Sequence, residues 1–160
     1  MKLYSRLDVV FPVMHGTYSE DGTLQGLLEL ADVAYVGAGV LGSSVCMDKG
    51  LFKDVMIANQ IPTLEYMIFN RSDIENDLDA CLDQCETIAP YPLFTKPANL
   101  GSSVGISKCN SRSDLLEGLK QAAAFDRRIV VEKGVALARE VEISVLGNEA
   151  PKASVPGEIV

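Results

Sequence analysis

Phe94-Thr95-Lys96-Pro97-Ala98-Asn99-Leu100-Gly101-Ser102-Ser103-Val104-Gly105 is the stretch on which the reading of this chain turns. A lysine that closes a strand, followed by a small-residue loop and a second strand, puts one fixed cation beside several free backbone N–H groups. A polyphosphate needs that combination. Glycine lets the backbone approach closely, and Ser102 and Ser103 add hydroxyls without bulk. Taken alone, the same residues also suit an ordinary hairpin loop in which Gly and Ser supply turn geometry.

The flanks set the fold class. Strand patterns run over Leu64 to Phe69, Leu93 to Lys96, Val104 to Lys108, Ile129 to Glu132 and Glu140 to Leu146. Three helices are predicted among them. Asp48 stands as N-cap of the first, with Leu51, Phe52, Val55 and Met56 on one face and Pro62 stopping the pattern. Ser72-Asp73-Ile74-Glu75 has the form of a capping box and opens the second, on which Ile74, Leu78, Cys81, Leu82 and Cys85 share an apolar face. Ser111 with Asp114 opens the third, carrying Leu115, Leu116 and Leu119. The middle of the chain is therefore an α+β unit. Ahead of it, Asp8 to Val13 reads as a short buried strand, Leu24, Leu27, Leu28 and Ala31 have helical spacing, and Tyr35-Val36 reads as another strand. One strand, one helix and one strand cannot close a core, so this opening reads as part of an α/β domain. Pro156 to Val160 reads as the start of another element.

At 160 residues the chain fits one compact domain or parts of two. Its 48% hydrophobic and 22% charged content is that of a soluble globular protein. No apolar run nears the roughly 20 residues a membrane span needs, and no signal-peptide pattern opens the chain, so a cytoplasmic location is expected. A formal charge of −8 with scattered basic residues argues against nucleic acid as a partner. A small anionic ligand would need a few lysines focused at one site, helped by metal cations. The four cysteines, Cys46, Cys81, Cys85 and Cys109, contain no CxxC pair, and with a single histidine no zinc site is expected.

Two further stretches bear on chemistry. In Arg128-Ile129-Val130-Val131-Glu132-Lys133-Gly134-Val135 an apolar strand switches suddenly to charge. Adenine has a donor amine beside an acceptor ring nitrogen, and Glu132, Lys133 and Val135 are placed to read it with one acceptor and one backbone N–H. The alternative is a strand emerging into solvent. Glu140 and Glu142 alternate with Val141, Ile143 and Val145, so both carboxylates share one strand face, able to reach a ribose or a metal or to face water. Gly37-Ala38-Gly39-Val40-Leu41-Gly42 matches GxGxxG between a strand and a helix, the setting of a dinucleotide fingerprint. The acidic residue the fingerprint wants near a strand end, about 20 residues on, is represented by Glu65 near a strand beginning. An NAD-binding oxidoreductase is thus an alternative. A Walker A loop is excluded, because GxxxxGK[ST] does not occur.

His15-Gly16-Thr17-Tyr18-Ser19-Glu20-Asp21-Gly22-Thr23-Leu24-Gln25-Gly26, Met47-Asp48-Lys49, Lys96-Pro97 through Gly105, and Arg139-Glu140-Val141-Glu142 occur in the order and spacing of D-alanine:D-alanine ligases. The chain resembles that family, within the ATP-grasp superfamily, along nearly all its length. The resemblance implies the end of an N-terminal α/β substrate domain over 1–48, a central ATP-grasp domain with a small antiparallel sheet and helices over 49–135, and the beginning of a C-terminal ATP-grasp domain over 136–160. It implies a reaction in which ATP phosphorylates the carboxylate of one D-alanine and the amine of a second attacks the acyl phosphate, giving the dipeptide of peptidoglycan.

The residue roles it implies are specific. Lys49 and Lys96 match the phosphate-contacting lysines, and the backbone around Ser102 and Ser103 matches the loop that closes over the phosphates. Glu132, Lys133 and Val135 match the adenine-reading positions, and Glu140 matches the ribose carboxylate. His15 and Glu20 match positions near the first D-alanine, while Ser102 matches a serine that tethers a mobile lid. Ser19 departs from the family's usual glycine, and Ala136 to Arg139 is one residue longer than usual before Glu140. The family's substrate-amine glutamate would precede Met1, and its lid, its phosphate-stabilising arginine and its Mg2+ ligands would follow Val160. A fragment without ligation activity, holding no metal ligand and forming a homodimer through unpaired edges, is the expectation. Ligases that join D-alanine to D-lactate or D-serine, and a non-catalytic nucleotide-binding or interaction module, stay open as alternatives.

Overall fold

The computed structural model describes residues 7–160, so the first residues of the expected 1–48 unit lie outside it. The chain opens with β1 (Val9–Val10), α1 (Thr23–Leu30) and β2 (Ala34–Tyr35), and the two strands pair in parallel across the helix. Next come α2 (Val40–Met47) and α3 (Lys49–Ala58), then β3 (Tyr66–Asn70), α4 (Arg71–Asn76), α5 (Leu78–Glu86), β4 (Leu93–Pro97), β5 (Ser107–Cys109), α6 (Arg112–Phe125) and β6 (Arg128–Lys133). The short strands β7 (Glu140–Glu142), β8 (Val145–Leu146), β9 (Lys152–Ala153) and β10 (Gly157–Ile159) follow.

The centre is a four-stranded antiparallel sheet in the order β3-β6-β4-β5. Strand alternation gives it two unlike faces. Phe69, Leu93, Cys109, Ile129 and Val131 point to one side, where they meet Ile74, Cys81, Leu82, Cys85, Leu115, Leu119 and Ala122 of the helices in a single buried cluster. Each large aliphatic side chain removed from water there contributes roughly 1.5–3 kcal/mol. α6 lies close on β4 and β5 because Gly118 has no side chain: a Cβ there would stand 2.6 Å from Thr95 Oγ1 and 2.9 Å from Cys109 Sγ. The cysteines at 81, 85 and 109 are core, and burial pushes the Cys85 thiol up to about 12. The opposite face carries Tyr66, Ile68, Phe94, Lys96, Val130 and Glu132 in register. α3 lies on this side, and Gly50 allows a close approach, since an added Cβ would be 2.7 Å from Ile68 Cδ1.

Several boundaries differ from those the sequence predicts. The Ser72 capping box does not form. Instead the Asn70 N–H donates to Asp73 Oδ2 at 2.8 Å at the start of α4, and Asp77 accepts from the Ala80 N–H at 3.0 Å to begin α5. The expected single helix is two, broken at Asp77, yet Ile74, Cys81, Leu82 and Cys85 still enter one core. The strand expected from Val104 begins at Ser107, because Ser102, Ser103 and Gly105 are all in the left-handed region and cannot join a ladder. Leu51 and Phe52 stay 42% and 37% exposed, for α3 turns Gly50 and Lys53 toward the sheet. Glu140 to Leu146 divides into β7, paired with β10, and β8, paired with β9.

Candidate functional site

Lys96 leaves β4 on the face turned to α3 and meets Glu132 of β6, its diagonal neighbour across the sheet. Lys53, on α3, reaches the same carboxylate from the other side at 3.0 Å. The oxygens are divided between them: Oε1 accepts from Lys96 and Oε2 from Lys53. Burial raises the Glu132 carboxyl, but the hydrogen bonds and charges of Lys96 and then Lys53 outweigh it, holding the group below its ordinary value.

The loop after Lys96 is tied down at three points. The Lys49 N–H donates to Ala98 O at 2.9 Å, and its ammonium donates to the carbonyl of Leu100. Asn99 donates from both its backbone N–H and its amide to Asp126 Oδ2, at 2.8 and 3.0 Å. Burial and the charge of Lys96 push the Lys49 ammonium below its ordinary value, against the opposing carboxylates of Asp126, Asp48 and Glu132. Ser102 and Ser103 then take φ of 51° and 57°, two successive non-glycine residues in the left-handed region. Such strain concentrates at ligand-holding segments. Gly105, at φ 72°, closes the loop where a Cβ would lie 2.7 Å from both Pro97 Cγ and Phe125 Cδ2.

The loop also borders the His15 to Glu20 segment. Glu20 folds back so that the Gly16 N–H donates to its Oε2 at 2.5 Å, with the His15 ring 3.9 Å from Oε1. A Cβ at Gly101 would stand 3.9 Å from the same Glu20 Oε2, so the two motifs are in contact. Between them lies an open cleft of about 340 Å³ lined by Glu20, Cys46, Met47, Lys49, Leu100 and Gly101. The structure thus gathers Glu20, Lys49, Lys96, Glu132 and the Ser102–Ser103 loop around one side of the sheet. His15 stands at the rim, 81% exposed in its side chain.

The other expected residues lie apart. Lys133 pairs with Glu65, by backbone at 3.0 Å and by side chain at 3.3 Å, and Val135 is exposed beyond it. Glu140 is exposed in β7, where the neighbouring Arg139 makes two 2.7 Å hydrogen bonds to Glu158. Among the described residues no group of three or more His, Cys, Asp or Glu side chains is gathered for a metal. Sequence reasoning missed Lys53, although its i+4 spacing from Lys49 puts both ammoniums on one face of α3. It also missed that Asp48 takes a 2.6 Å hydrogen bond from Arg128 while capping α3, which fastens Lys49 to the sheet.

The fold, a small antiparallel sheet with helices, is that of the ATP-grasp ligases, and solved members share it. A D-alanine-D-alanine ligase from Coxiella burnetii matches with a TM-score of 0.85 at 42% identity, covering 98% of this chain and 45% of that one. A D-Ala:D-Ser ligase from Enterococcus faecalis matches with a TM-score of 0.85 at 34% identity, covering 96% and 43%. Family models described as D-ala D-ala ligase N-terminus and D-ala D-ala ligase C-terminus match residues 1–38 and 55–160, and the chain belongs to the D-alanine–D-alanine ligase family. A curated D-alanine–D-alanine ligase from Solibacter usitatus (strain Ellin6076) is 52% identical over 157 residues, 98% of this chain and 46% of the relative. The chain spans less than half the length of the curated relatives it matches. Within this family, Gly37 to Gly39 lead from β2 into α2, Val40 to Gly42 open that helix, and the stretch does not stand as an NAD fingerprint.

Proposed function

We propose that this chain is the ATP-holding part of a ligase that joins two D-alanine molecules for peptidoglycan synthesis. The observation that carries the reading is the loop from Lys96 to Gly105, pinned by Lys49, with Glu20 at its far side and the Lys53–Glu132–Lys96 cluster beneath it. In this reading Lys49 and Lys96 balance the charge of the phosphates, and N–H groups around Ser102 and Ser103 donate to phosphate oxygens. Glu132, with the backbone of Lys133 and Val135, recognises adenine, and Glu140 takes the ribose. His15 and Glu20 border the first D-alanine, and Ser102 tethers a lid across it. The D-alanine carboxylate oxygen attacks the terminal phosphorus and ADP departs. The amine of the second D-alanine then attacks the acyl phosphate, loses a proton and expels phosphate.

Residues 1–48 serve in this account as the end of the substrate domain, 49–135 as the central ATP-grasp domain and 136–160 as the start of the C-terminal one. Mg2+ accompanies ATP without ligands from the described residues. The protein works in the cytoplasm, without nucleic acid or membrane as partner, and as a homodimer. The likeness to a D-Ala:D-Ser ligase favours one second reading, a different amino acid as second substrate with the same ATP site.

Calorimetric titration of this chain with ATP tests the proposal. ATP should give a saturable heat that Lys96→Met weakens by about tenfold or more, the scale of a charge-assisted hydrogen bond. No heat with ATP, or an unchanged affinity in Lys96→Met, would overturn it.

A further inference from the structure

Glu132 is shared by two lysines within the proposed nucleotide site. It is one carboxylate, 10% exposed in its side chain, with two lysines on it, and one of these, Lys96, is also wanted by the phosphates. If Lys96 turned away and nothing else held Glu132, ATP binding would leave a carboxylate uncompensated in a confined site, which is strongly unfavourable. Lys53 answers this. It comes from α3 and not from the sheet, it is 12% exposed, and it holds Oε2 at 3.0 Å while Lys96 holds Oε1. It is itself fixed, with Nζ 5.1 Å from the centre of the Tyr66 ring and 3.5 Å from the Leu64 carbonyl.

We propose that Lys53 is a positioning residue for the nucleotide: it keeps Oε2 of Glu132 paired, so that when Lys96 moves to phosphate, Oε1 is released to accept a hydrogen bond from the adenine amine. The inference rests on the nucleotide-site reading above and adds an exchange to it. One oxygen atom passes from a lysine donor to the base, and the lysine passes to the phosphate, so a ligand with both parts satisfies every group at once. Adenine without phosphate competes with Lys96 for Oε1, and polyphosphate without an amine-bearing base strands it. Lys53 does not contact the reacting atoms; its effect passes through Glu132.

The preference of this chain for ATP over inosine triphosphate, which has no exocyclic amine, reads out the exchange. The wild-type chain should prefer ATP, and Lys53→Met should reduce that preference by about tenfold, a difference of 1.4 kcal/mol. Lys53→Arg, which keeps a cation at the end of a similar stem, should retain it. A Lys53→Met chain that binds ATP with the wild-type preference overturns the inference while leaving the nucleotide site standing, and so does a Lys53→Arg chain that loses the preference as completely. A wild-type chain that binds neither nucleotide overturns both. A second measurement needs no variant: in lysine side-chain NMR of the wild-type chain, ATP should move the Lys96 ammonium resonance and leave that of Lys53 nearly in place. Equal movement of the two would overturn the exchange.

Discussion

Glu132 is the residue on which the electrostatics of the sheet's polar face depend, and acid tests it. Its carboxyl is held below the ordinary value of 4.5 by Lys96 and Lys53, in spite of burial. The folded state therefore binds fewer protons than the unfolded state in the interval beneath 4.5, and the stabilisation is fully present above that value. It is lost as pH falls through the lowered folded value. Replacing Glu132 by Gln strands both lysines. Breaking a buried pair costs about 3–5 kcal/mol, and because the Lys96 side chain is 23% exposed the expected loss at neutral pH is about 2–3 kcal/mol. Denaturant melts of the two proteins should differ by that amount near pH 7, and the gap should begin to close beneath the ordinary carboxylate value and vanish only once the pH has fallen through the lowered folded value, where wild-type Glu132 is protonated too. A gap that stays constant down the series would show that Glu132→Gln acts through packing and not through charge.

At the scale of elements, Asp48 joins two structures at once, capping α3 through the Leu51 N–H at 2.9 Å and taking the Arg128 hydrogen bond at 2.6 Å. The two roles separate by substitution. Asn caps about as well as Asp but carries no charge, so Asp48→Asn should lose the ion pair alone, about 1–2 kcal/mol with Arg128 27% exposed. Asp48→Ala should lose about 1 kcal/mol more for the cap. Equal urea midpoints for the two variants would contradict this division. The cap itself was legible in the sequence, since Asp before a lysine and an apolar pattern is a local signal. So were the cysteine-bearing face and the strand ending at Lys96, because period and punctuation are written in neighbouring residues. The break at Asp77 was less visible: both short helices keep one apolar phase, so periodicity does not register the interruption. The partner of Lys96 was out of reach altogether. Strand register decides that Lys96 and Glu132 meet, and register is set by the whole sheet. Lys53 fell between these cases, readable as a neighbour of Lys49 on a helix face but not as a partner of Glu132.

The molecule as a whole exposes more surface than its size requires. A compact monomer of 17.2 kDa presents about 7,800 Å² by the usual mass scaling, whereas this chain presents 11024 Å². Much of the apolar part lies where strands occur only in pairs. Val141 and Ile143 on one side of the β7 segment, and Val145 and Leu146 in β8, are all more than half exposed. Two-stranded ribbons are marginal in water, and apolar strands with open edges recruit further strands. In a solution of this chain alone the available cover is a second copy, and an ordinary stable interface removes about 800 Å² from each partner, well within the excess. Sedimentation velocity should therefore show a weight-average mass that rises with concentration toward the dimer. Substituting Ile143→Lys and Val145→Lys together places two charges on that surface without entering the buried core of the central sheet, so the variant should keep its thermal transition while remaining monomeric at concentrations where the parent associates. A parent chain that sediments as a monomer throughout would mean that the exposed strands do not drive association. A lysine variant that dimerises as well as the parent would move the contact elsewhere, for instance to the exposed apolar side chains around β1 and α1, which include Val9, Phe11, Leu27 and Leu30.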